Sequence, residues 1–215
     1  MVNSFFSWFD TNVFHPVFYS LLSFLHDFGL VIILITLLIR AILWPFNHIS
    51  LDQMKKMQKL QPKIKELQEK YKSDPQRLQT EMVAFYKNNN INPFGGCLPM
   101  LIQLPILIAF YYFLLSPELK SIIEQTHSAV NFLWISDITE KDPFYILPAL
   151  LMITTYIQQK ITTNTADRMQ RQMLLIMPLF LGFISIQFPA GILIYWNVSN
   201  IIGILQSFIV MRKHS

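Results

Sequence analysis

Arg40 is the residue whose chemistry most restricts what this chain can do. It lies in the almost wholly apolar run Phe28 to Phe46, which is long enough to cross a bilayer. A charge at the centre of such a helix costs roughly 2.5–3.5 kcal/mol on insertion scales. Snorkelling is one way to lower that cost, because a rise of about 1.5 Å per residue puts Arg40 only about 9 Å from the Phe46 end. The other is a hydrated cavity in which the guanidinium attracts acidic or polar groups.

A carboxylate would be the natural partner of a buried arginine, and the sequence offers none at this depth. All 13 Asp and Glu residues lie outside the apolar stretches that qualify as membrane spans. The counter-charge of Arg40 must therefore come from water, backbone carbonyls, a lipid phosphate, a loop folded inward or another chain.

Other polar side chains inside the predicted spans point to the same region. Thr36 lies one helical turn before Arg40 on the same face, and Gln103 lies between two prolines of the second span. The last span carries three polar residues on one stripe, Asn197, Asn200 and Ser207. Taken singly, each is best explained by a hydrogen bond between helices. Taken together with an unpaired arginine, they predict a wet cavity open to the cytoplasm.

Covalent catalysis finds little support in the sequence. No predicted span contains His, Asp or Glu, so no general acid and base pair is available in the membrane. The five histidines lack metal-ligand spacing. Glycine-rich phosphate loops, nucleophile elbows and ATP motifs are also missing from the sequence. We therefore predict a protein that is not an enzyme and that uses no cofactor and no metal.

The composition is that of an all-α integral membrane protein. The chain is 53% hydrophobic and 14% charged, with a mean hydropathy of +0.38. Five spans are predicted, at residues 28–46, 94–115, 144–159, 173–188 and 190–210. The third and fourth are shorter than the roughly 20 residues that a bilayer needs. Either their ends extend further or the bilayer thins around them.

Basic residues predict the orientation of these spans. Of 17 Lys and Arg residues, nine fall in loop 47–93, three in loop 160–172 and two in the tail 211–215. Only two fall in loop 116–143. By the positive-inside rule, the amino end and loop 116–143 are outside, while loops 47–93 and 160–172 and the tail are cytoplasmic.

Residues 1–27 contain no Lys or Arg and so lack the basic start of a cleavable signal peptide. Their apolar residues recur with the spacing of one helix face, and Pro16 suits a first helical turn. We predict an amphipathic helix on the outer surface. A first span that simply begins early is the alternative.

The loop 47–93 predicts two amphipathic helices that pair as a cytoplasmic hairpin. Asp74 is placed as the cap of the second helix and Pro75 as its first residue, while Pro62 should interrupt the first helix. The first helix is rich in lysine, with Lys55, Lys56, Lys59, Lys63 and Lys65 among its residues. This basic surface is either merely solvated or contacts anionic headgroups, ribosomal RNA or a nascent chain.

Several segments resemble, in order, the signatures of the YidC/Oxa/Alb membrane-protein insertases. They are LITLLIRAILWPF, MKKMQKLQPKIKELQEKYKSDPQRLQTEMVAFYK, INPFGGCLPMLIQLPILIAFYYFL, DPFYILPALLM and FPAGILIYWNVSN. The resemblance covers the chain from about Trp8 to Val210. NPFGGCLPMLIQLPI is the most specific segment, because hydropathy alone does not require its pattern of Gly, Pro and Gln.

The resemblance implies a five-helix core around a positively charged groove, closed towards the outside and open to the cytoplasm and to lipid. The groove arginine of the family falls on Arg40, and the polar position one turn before it falls on Thr36. A Tyr-Tyr pair that often faces the substrate path in the family here reads Tyr195 and Trp196, which keeps the aromatic surface but loses one hydroxyl. Together with Gln103, Asn197 and Asn200, these residues form the expected groove.

The implied function is that of an energy-independent insertase and chaperone in the bacterial inner membrane. It would move hydrophilic tails of short membrane proteins through the groove and release their apolar segments into lipid. Nascent membrane proteins and the bilayer are the implied partners, the Sec translocon and the ribosome are further candidates, DNA is not expected, and one copy should suffice. The alternatives are an accessory subunit of another translocase and an anion channel or transporter subunit.

Many bacterial members of this family carry an additional amino-terminal span and a large outer domain, and others begin with a lipoprotein signal. The first 27 residues here contain neither feature. A shortened chain and a naturally short form both fit this observation.

Overall fold

The computed structural model describes residues 10–92, 98–162 and 168–212, and this part of the chain is mainly helical. A short π-helical turn, Asp10–Phe14, precedes the first α-helix. The α-helices are α1 (His15–Leu25), α2 (Phe28–Lys70), α3 (Pro75–Asn88), α4 (Leu98–Leu114), α5 (Pro117–Thr126), α6 (Ile146–Thr162), α7 (Arg168–Ser185) and α8 (Ala190–Arg212).

A sharp break separates α1 from α2. His26 takes up a left-handed conformation with a φ of 54°, and its N–H donates to the carbonyl of Leu22 at the end of α1. Asp27 then caps α2, because its carboxylate accepts a hydrogen bond from the N–H of Leu30 at 2.9 Å. In the structure α1 therefore ends at Leu25, and α2 is a separate helix that begins at Phe28.

The buried face of α1 packs into an aromatic cluster with α2 and α4. Phe18 has no exposed surface, and the centre of its ring lies 4.4 Å from that of Phe113 and 5.8 Å from that of Phe28. Aromatic pairs of this kind contribute about 0.5–1.5 kcal/mol each beyond their buried area. These contacts hold α1 against the bundle.

One continuous helix, α2, contains both the first predicted span and the first helix of the hairpin. Its 43 residues correspond to roughly 65 Å, about twice the thickness of the hydrocarbon layer. Pro62 lies inside this helix, so the predicted interruption at Pro62 is wrong. Gln61 and Ile64, on either side of the proline, are buried, so the helix is packed against the protein where proline removes one backbone hydrogen bond.

The hairpin is present, with the turn chemistry that the sequence predicts. The Asp74 carboxylate accepts a hydrogen bond from the N–H of Arg77 at 3.0 Å, and Pro75 is the first residue of α3. α3 contacts α2, but none of its residues is buried. The hairpin is thus held mainly by the long helix from which it extends.

Two helices of the described part are long and apolar enough to cross a membrane, namely α2 and Ala190–Val210 of α8. A third crossing arises if α4 and α5 are taken together, although the chain bends by 65° between them. The apolar part of α7, Gln172–Ser185, is a shorter helix, and α6 has 17 residues. These short helices correspond to the third and fourth predicted spans, which are also short in the sequence.

Helix α5 is not predicted by the hydropathy pattern, because it lies in a polar loop. Its start nevertheless carries a local signal: the hydroxyl of Ser116 accepts from the N–H of Leu119 at 3.3 Å, and Pro117 is the first helical residue. Leu119 and Ile122 are buried, and α5 packs against α1. Two amphipathic helices therefore cover the same end of the bundle.

The loop of residues 127–145 binds the amino ends of helices α2 and α8. The N–H of Phe28 donates to the carbonyl of Ala129 at 3.0 Å. At α8, the N–H of Ala190 donates to the carbonyl of Glu140 at 2.6 Å, and the next N–H donates to Ile138 at 2.7 Å. These contacts satisfy donors that a helix leaves free at its amino end. α2 and α8 therefore begin at the same end of the bundle and run in the same direction.

Asp142 attaches the same loop to the amino end of α6. Its side chain is buried and accepts hydrogen bonds from the indole N–H of Trp134 at 3.0 Å and from the backbone N–H groups of Phe144 and Leu147 at 3.1 and 2.6 Å. One carboxylate thus joins the loop, its tryptophan and a helix terminus. The amino end of α6 lies with those of α2 and α8.

We expect the Asp142→Ala variant to be destabilised by roughly 1–3 kcal/mol or more, because buried donors lose their acceptor. Asp142→Asn should lose less, since it keeps one acceptor oxygen. Glu140→Ala is a matched control, because that side chain is exposed while its backbone contact is retained. Thermal unfolding of the purified protein in detergent measures the effect. Equal stability of Asp142→Ala and Glu140→Ala would contradict this role.

Candidate functional site: a half-buried arginine between parallel helices

Arg40 lies where α2 packs against α8. Its Nε–H donates a hydrogen bond to the hydroxyl oxygen of Ser199 at 2.7 Å, and Ser199 is almost completely buried. Within the described part of the chain, no carboxylate forms an ion pair with the guanidinium. Among the described residues, the hydrogen-bond partner of the guanidinium is thus a neutral hydroxyl and not a counter-charge.

A second hydrogen bond lies beside the first. The side-chain amide of Gln103, on α4, donates to the Tyr195 hydroxyl at 2.5 Å. Tyr195 precedes Ser199 by one turn of α8, and its hydroxyl is near both Ser199 and Arg40. We refer to Arg40, Gln103, Tyr195 and Ser199 as the Arg40 cluster. It joins α2, α4 and α8.

The Arg40 cluster is bounded by apolar side chains in the direction of the amino end of α2. The Tyr195 ring packs against Phe110, with 5.6 Å between ring centres, while its hydroxyl belongs to the cluster. A small apolar pocket of about 10 Å³ lies beside it, lined by Phe14, Phe18, Ile32, Ile35, Ile39, Ile106, Phe110 and Tyr195. Tyr195 therefore marks the boundary between polar and apolar surroundings, as suits its amphipathic ring.

The two asparagines of α8 are placed against α6. Asn197 donates to the carbonyl of Leu147 at 3.1 Å, and its oxygen accepts from the Thr154 hydroxyl at 3.2 Å. Asn200 donates to the hydroxyls of Thr155 and Thr154 at 3.0 and 3.2 Å. Both amides are buried. The structure therefore gives them interhelical hydrogen bonds, the simpler of the two roles that their sequence positions allow.

Thr36 and Trp196 lie close to the Arg40 cluster along the chain but contribute differently to it. The Thr36 hydroxyl is fully buried and donates to the carbonyl of Ile32 in its own helix at 2.6 Å. Trp196 is half-buried and packs against the apolar core. Of the seven groove residues predicted from the sequence, three are thus in the cluster, namely Arg40, Gln103 and Tyr195.

The carboxyl ends of α6 and α8 are bound to the extended part of α2. The ammonium of Lys55 donates to the carbonyl of Val210 at 3.3 Å, and the amide of Gln58 donates to the carbonyl of Thr162 at 2.6 Å. Lys55 is therefore partly engaged inside the protein. The other predicted hairpin lysines, Lys56, Lys59, Lys63 and Lys65, are exposed.

The chemistry offered by the Arg40 cluster is hydrogen-bond donation to an anion or a carbonyl. Its charged member is a guanidinium, which carries five N–H donors and cannot act as a base. The described residues hold no group of three or more His, Cys, Asp or Glu side chains arranged to bind a metal ion. The arrangement suits reversible attraction of a polar chain.

Ser199 is the member of the cluster that the sequence reasoning missed. A serine in an apolar helix most often bonds to its own backbone, as Ser207 does to the carbonyl of Gly203 at 2.7 Å. The available signal was its position one turn after Tyr195, on the same face of the last span.

Comparisons with known proteins identify the family of the chain. The sequence matches the profile of the family described as 60Kd inner membrane protein over residues 18–215. The chain belongs to this family. The chain is 43% identical over 193 residues to the membrane protein insertase YidC of Syntrophus aciditrophicus (strain SB), which covers 90% of this chain and 34% of that protein. The corresponding protein of Geobacter sulfurreducens is 40% identical over 204 residues, covering 93% and 37%.

The fold agrees with the family assignment. The chain superposes on a solved structure titled "Active YidC insertase crystal structure with the first transmembrane domain resolved" with a TM-score of 0.74 and 25% sequence identity, covering 97% of this chain and 47% of that one. The predicted all-helical class and the resemblance to the YidC/Oxa/Alb insertases are thereby confirmed. The chain spans about a third of the length of the YidC relatives that it matches.

The interhelical role of Asn200 can be separated from a role in the groove. Asn200→Ala should lower the free energy of unfolding by about 0.6–1.7 kcal/mol, the range measured for hydrogen bonds between membrane helices. The exposed Asn88→Ala on α3 serves as the control. Detergent unfolding and a substrate-insertion assay should be run on the same preparations. Unchanged stability with a loss of insertion would place Asn200 in the substrate path instead.

Proposed function

We propose that this chain is the membrane-embedded part of an insertase. It moves hydrophilic tails of short membrane proteins part-way across the bilayer and releases their apolar segments into lipid. The observation that carries the proposal is the half-buried Arg40 guanidinium, which has a hydroxyl partner but no carboxylate partner in the described part of the chain. Membership of a family whose relatives are named membrane protein insertases supports the same function.

The energetic argument rests on desolvation. A polar chain that enters hydrocarbon alone loses its hydrogen bonds to water. A groove that offers donors half-way through the membrane shortens the thickness of hydrocarbon that the chain must cross. Burial of the substrate's own apolar segment in lipid then supplies the driving force. The mechanism requires no covalent step and no ATP.

The proposed topology has five spans, formed by the amino-terminal part of α2 and by α4, α6, α7 and α8. The shared direction of α2, α6 and α8 supports it, because odd-numbered spans must begin on the same side. The distribution of lysine and arginine favours an outer location for the loop of residues 127–145 and for α1. The hairpin and the carboxyl end are then cytoplasmic, and the protein lies in the bacterial inner membrane.

The groove of the proposal is lined by Arg40, Gln103, Tyr195 and Trp196, with Thr36 in its wall and Asn197 and Asn200 supporting α8. The loop contacts to α2 and α8, together with the apolar pocket beside Tyr195, support closure of the groove towards the outside. Nascent membrane proteins and lipid are the proposed partners. Exposed hairpin lysines favour further contacts with anionic lipid, the ribosome or the Sec translocon, and a single copy suffices for the groove.

The purified chain, reconstituted alone in liposomes with a short single-span substrate, tests the function. Arg40→Ala should reduce insertion of substrates with acidic tails by roughly fivefold or more, because it removes an attraction of at least about 1 kcal/mol. Neutral tails should be affected less, and Arg40→Lys should be milder than Arg40→Ala since it keeps the charge. Equal losses for acidic and neutral tails would exclude the electrostatic role.

The same liposomes distinguish the other two candidate functions. Protection of the substrate from added protease supports an insertase. A chloride flux without substrate protection would instead indicate a channel or transporter subunit. Neither activity would indicate an accessory subunit of another translocase.

A further inference from the structure

We propose that Ser199 is a positioning residue that fixes the Arg40 guanidinium, so that the free N–H groups of the guanidinium favour a carboxylate. This inference rests on the proposed function and deepens it, because it names a residue that sets the preference for acidic tails. It rests on the 2.7 Å hydrogen bond from Arg40 Nε to the Ser199 hydroxyl.

Arg40 donates to Ser199 through Nε and not through a terminal nitrogen. Nε is the guanidinium nitrogen nearest the aliphatic chain, and its N–H is the donor that Ser199 occupies. The two terminal nitrogens, which carry four of the five N–H groups, are left for a ligand. A carboxylate binds two parallel N–H groups of this kind in bidentate geometry, and such a pair is stronger than a hydrogen bond between neutral groups.

Ser199, the partner of Arg40, is buried. Ser199 has 1% of its surface exposed and lies on α8, one turn after Tyr195. A hydroxyl fixed inside a helix interface holds the guanidinium in one direction, whereas an unrestrained arginine side chain samples many rotamers. Pre-orientation lowers the entropy that the guanidinium loses when a ligand binds.

The Tyr195 hydroxyl is a further donor of the Arg40 cluster. Its oxygen accepts from the Gln103 amide, and Ser199 lies one turn further along the same face of α8. The phenolic O–H then remains available to donate. Terminal guanidinium N–H groups and a phenolic O–H form a set made only of donors, which suits a carboxylate with its several acceptor lone pairs.

This assignment distinguishes Ser199 from an ordinary serine of the same helix. Ser207 is equally buried, but its hydroxyl bonds to the backbone of its own helix. Ser207→Ala is therefore a matched control for Ser199→Ala, since both variants remove one buried hydroxyl from α8.

The first readout is independent of transport. In micelles containing ¹⁵N-labelled protein, the Arg40 Nε–H resonance, assigned by its loss in Arg40→Lys, should exchange slowly with water. Ser199→Ala should accelerate that exchange roughly tenfold or more, because a charge-assisted hydrogen bond is lost. Ser207→Ala should leave it unchanged. Equal exchange in the wild type and in Ser199→Ala would overturn the proposal.

The second readout is the ratio of acidic-tail to neutral-tail insertion in liposomes. Ser199→Ala should shift this ratio towards the value of Arg40→Ala while neutral tails continue to insert. Loss of insertion for both acidic-tail and neutral-tail substrates would contradict a positioning role and indicate a structural one. If the wild type inserts nothing, the proposed function fails, and the exchange measurement still decides the assignment of Ser199.

A second pair of variants covers the case in which Ser199→Ala fails to fold. Ser199→Thr and Ser199→Val have nearly the same shape and differ by the hydroxyl. The threonine variant should retain slow Nε–H exchange and the acidic preference, and the valine variant should lose both. The same result for the two variants would overturn the proposal.

Discussion

The structure depends on keeping one positive charge inside an apolar helix bundle without giving it a permanent counter-charge. A buried guanidinium with a carboxylate partner would form a stable ion pair, and a passing chain would then have to displace that carboxylate. Arg40 instead donates its Nε–H to the neutral Ser199 hydroxyl. The hydrogen bond lowers the cost of burial while the charge remains available. The desolvation cost that is left must be covered by the stability of the surrounding helices.

Those helices are bound at both ends. At one end, the loop of residues 127–145 bonds to the amino ends of α2 and α8, and Asp142 bonds to that of α6. At the other end, Lys55 and Gln58 donate to the carboxyl-terminal carbonyls of α8 and α6. α2 is thus hydrogen-bonded to the carboxyl ends of both α6 and α8. Such bonding at two levels holds α2 and α8 close enough for Arg40 and Ser199 to meet.

The sequence predicts the parts of this arrangement that show a regular pattern, a local turn signal or a charge in an apolar segment. Apolar periodicity identifies the helices, Asp74 identifies the hairpin turn, and Arg40 is conspicuous in its apolar run. The missing parts depend on distant contacts. Ser199 is unremarkable until α2 lies beside it, Asp142 counts as a loop carboxylate until the loop folds inward, and α5 is too short and polar for a hydropathy signal. The helix α2 also continues through Pro62, whose neighbours Gln61 and Ile64 are buried by distant parts of the chain that the local sequence does not reveal.

The central claim is that the Arg40 cluster faces water reached from the cytoplasm. Thiol labelling tests it most directly, because a membrane-impermeant maleimide reacts rapidly only with a hydrated thiolate. In a Cys97→Ser background, Gln103→Cys should be labelled from the cytoplasmic side of inverted vesicles and not from the outer side of intact cells. Leu101→Cys, an exposed apolar position on the same helix, should remain unreactive as a lipid-facing control. Equal resistance at both positions, or labelling of Gln103→Cys from outside, would contradict the account.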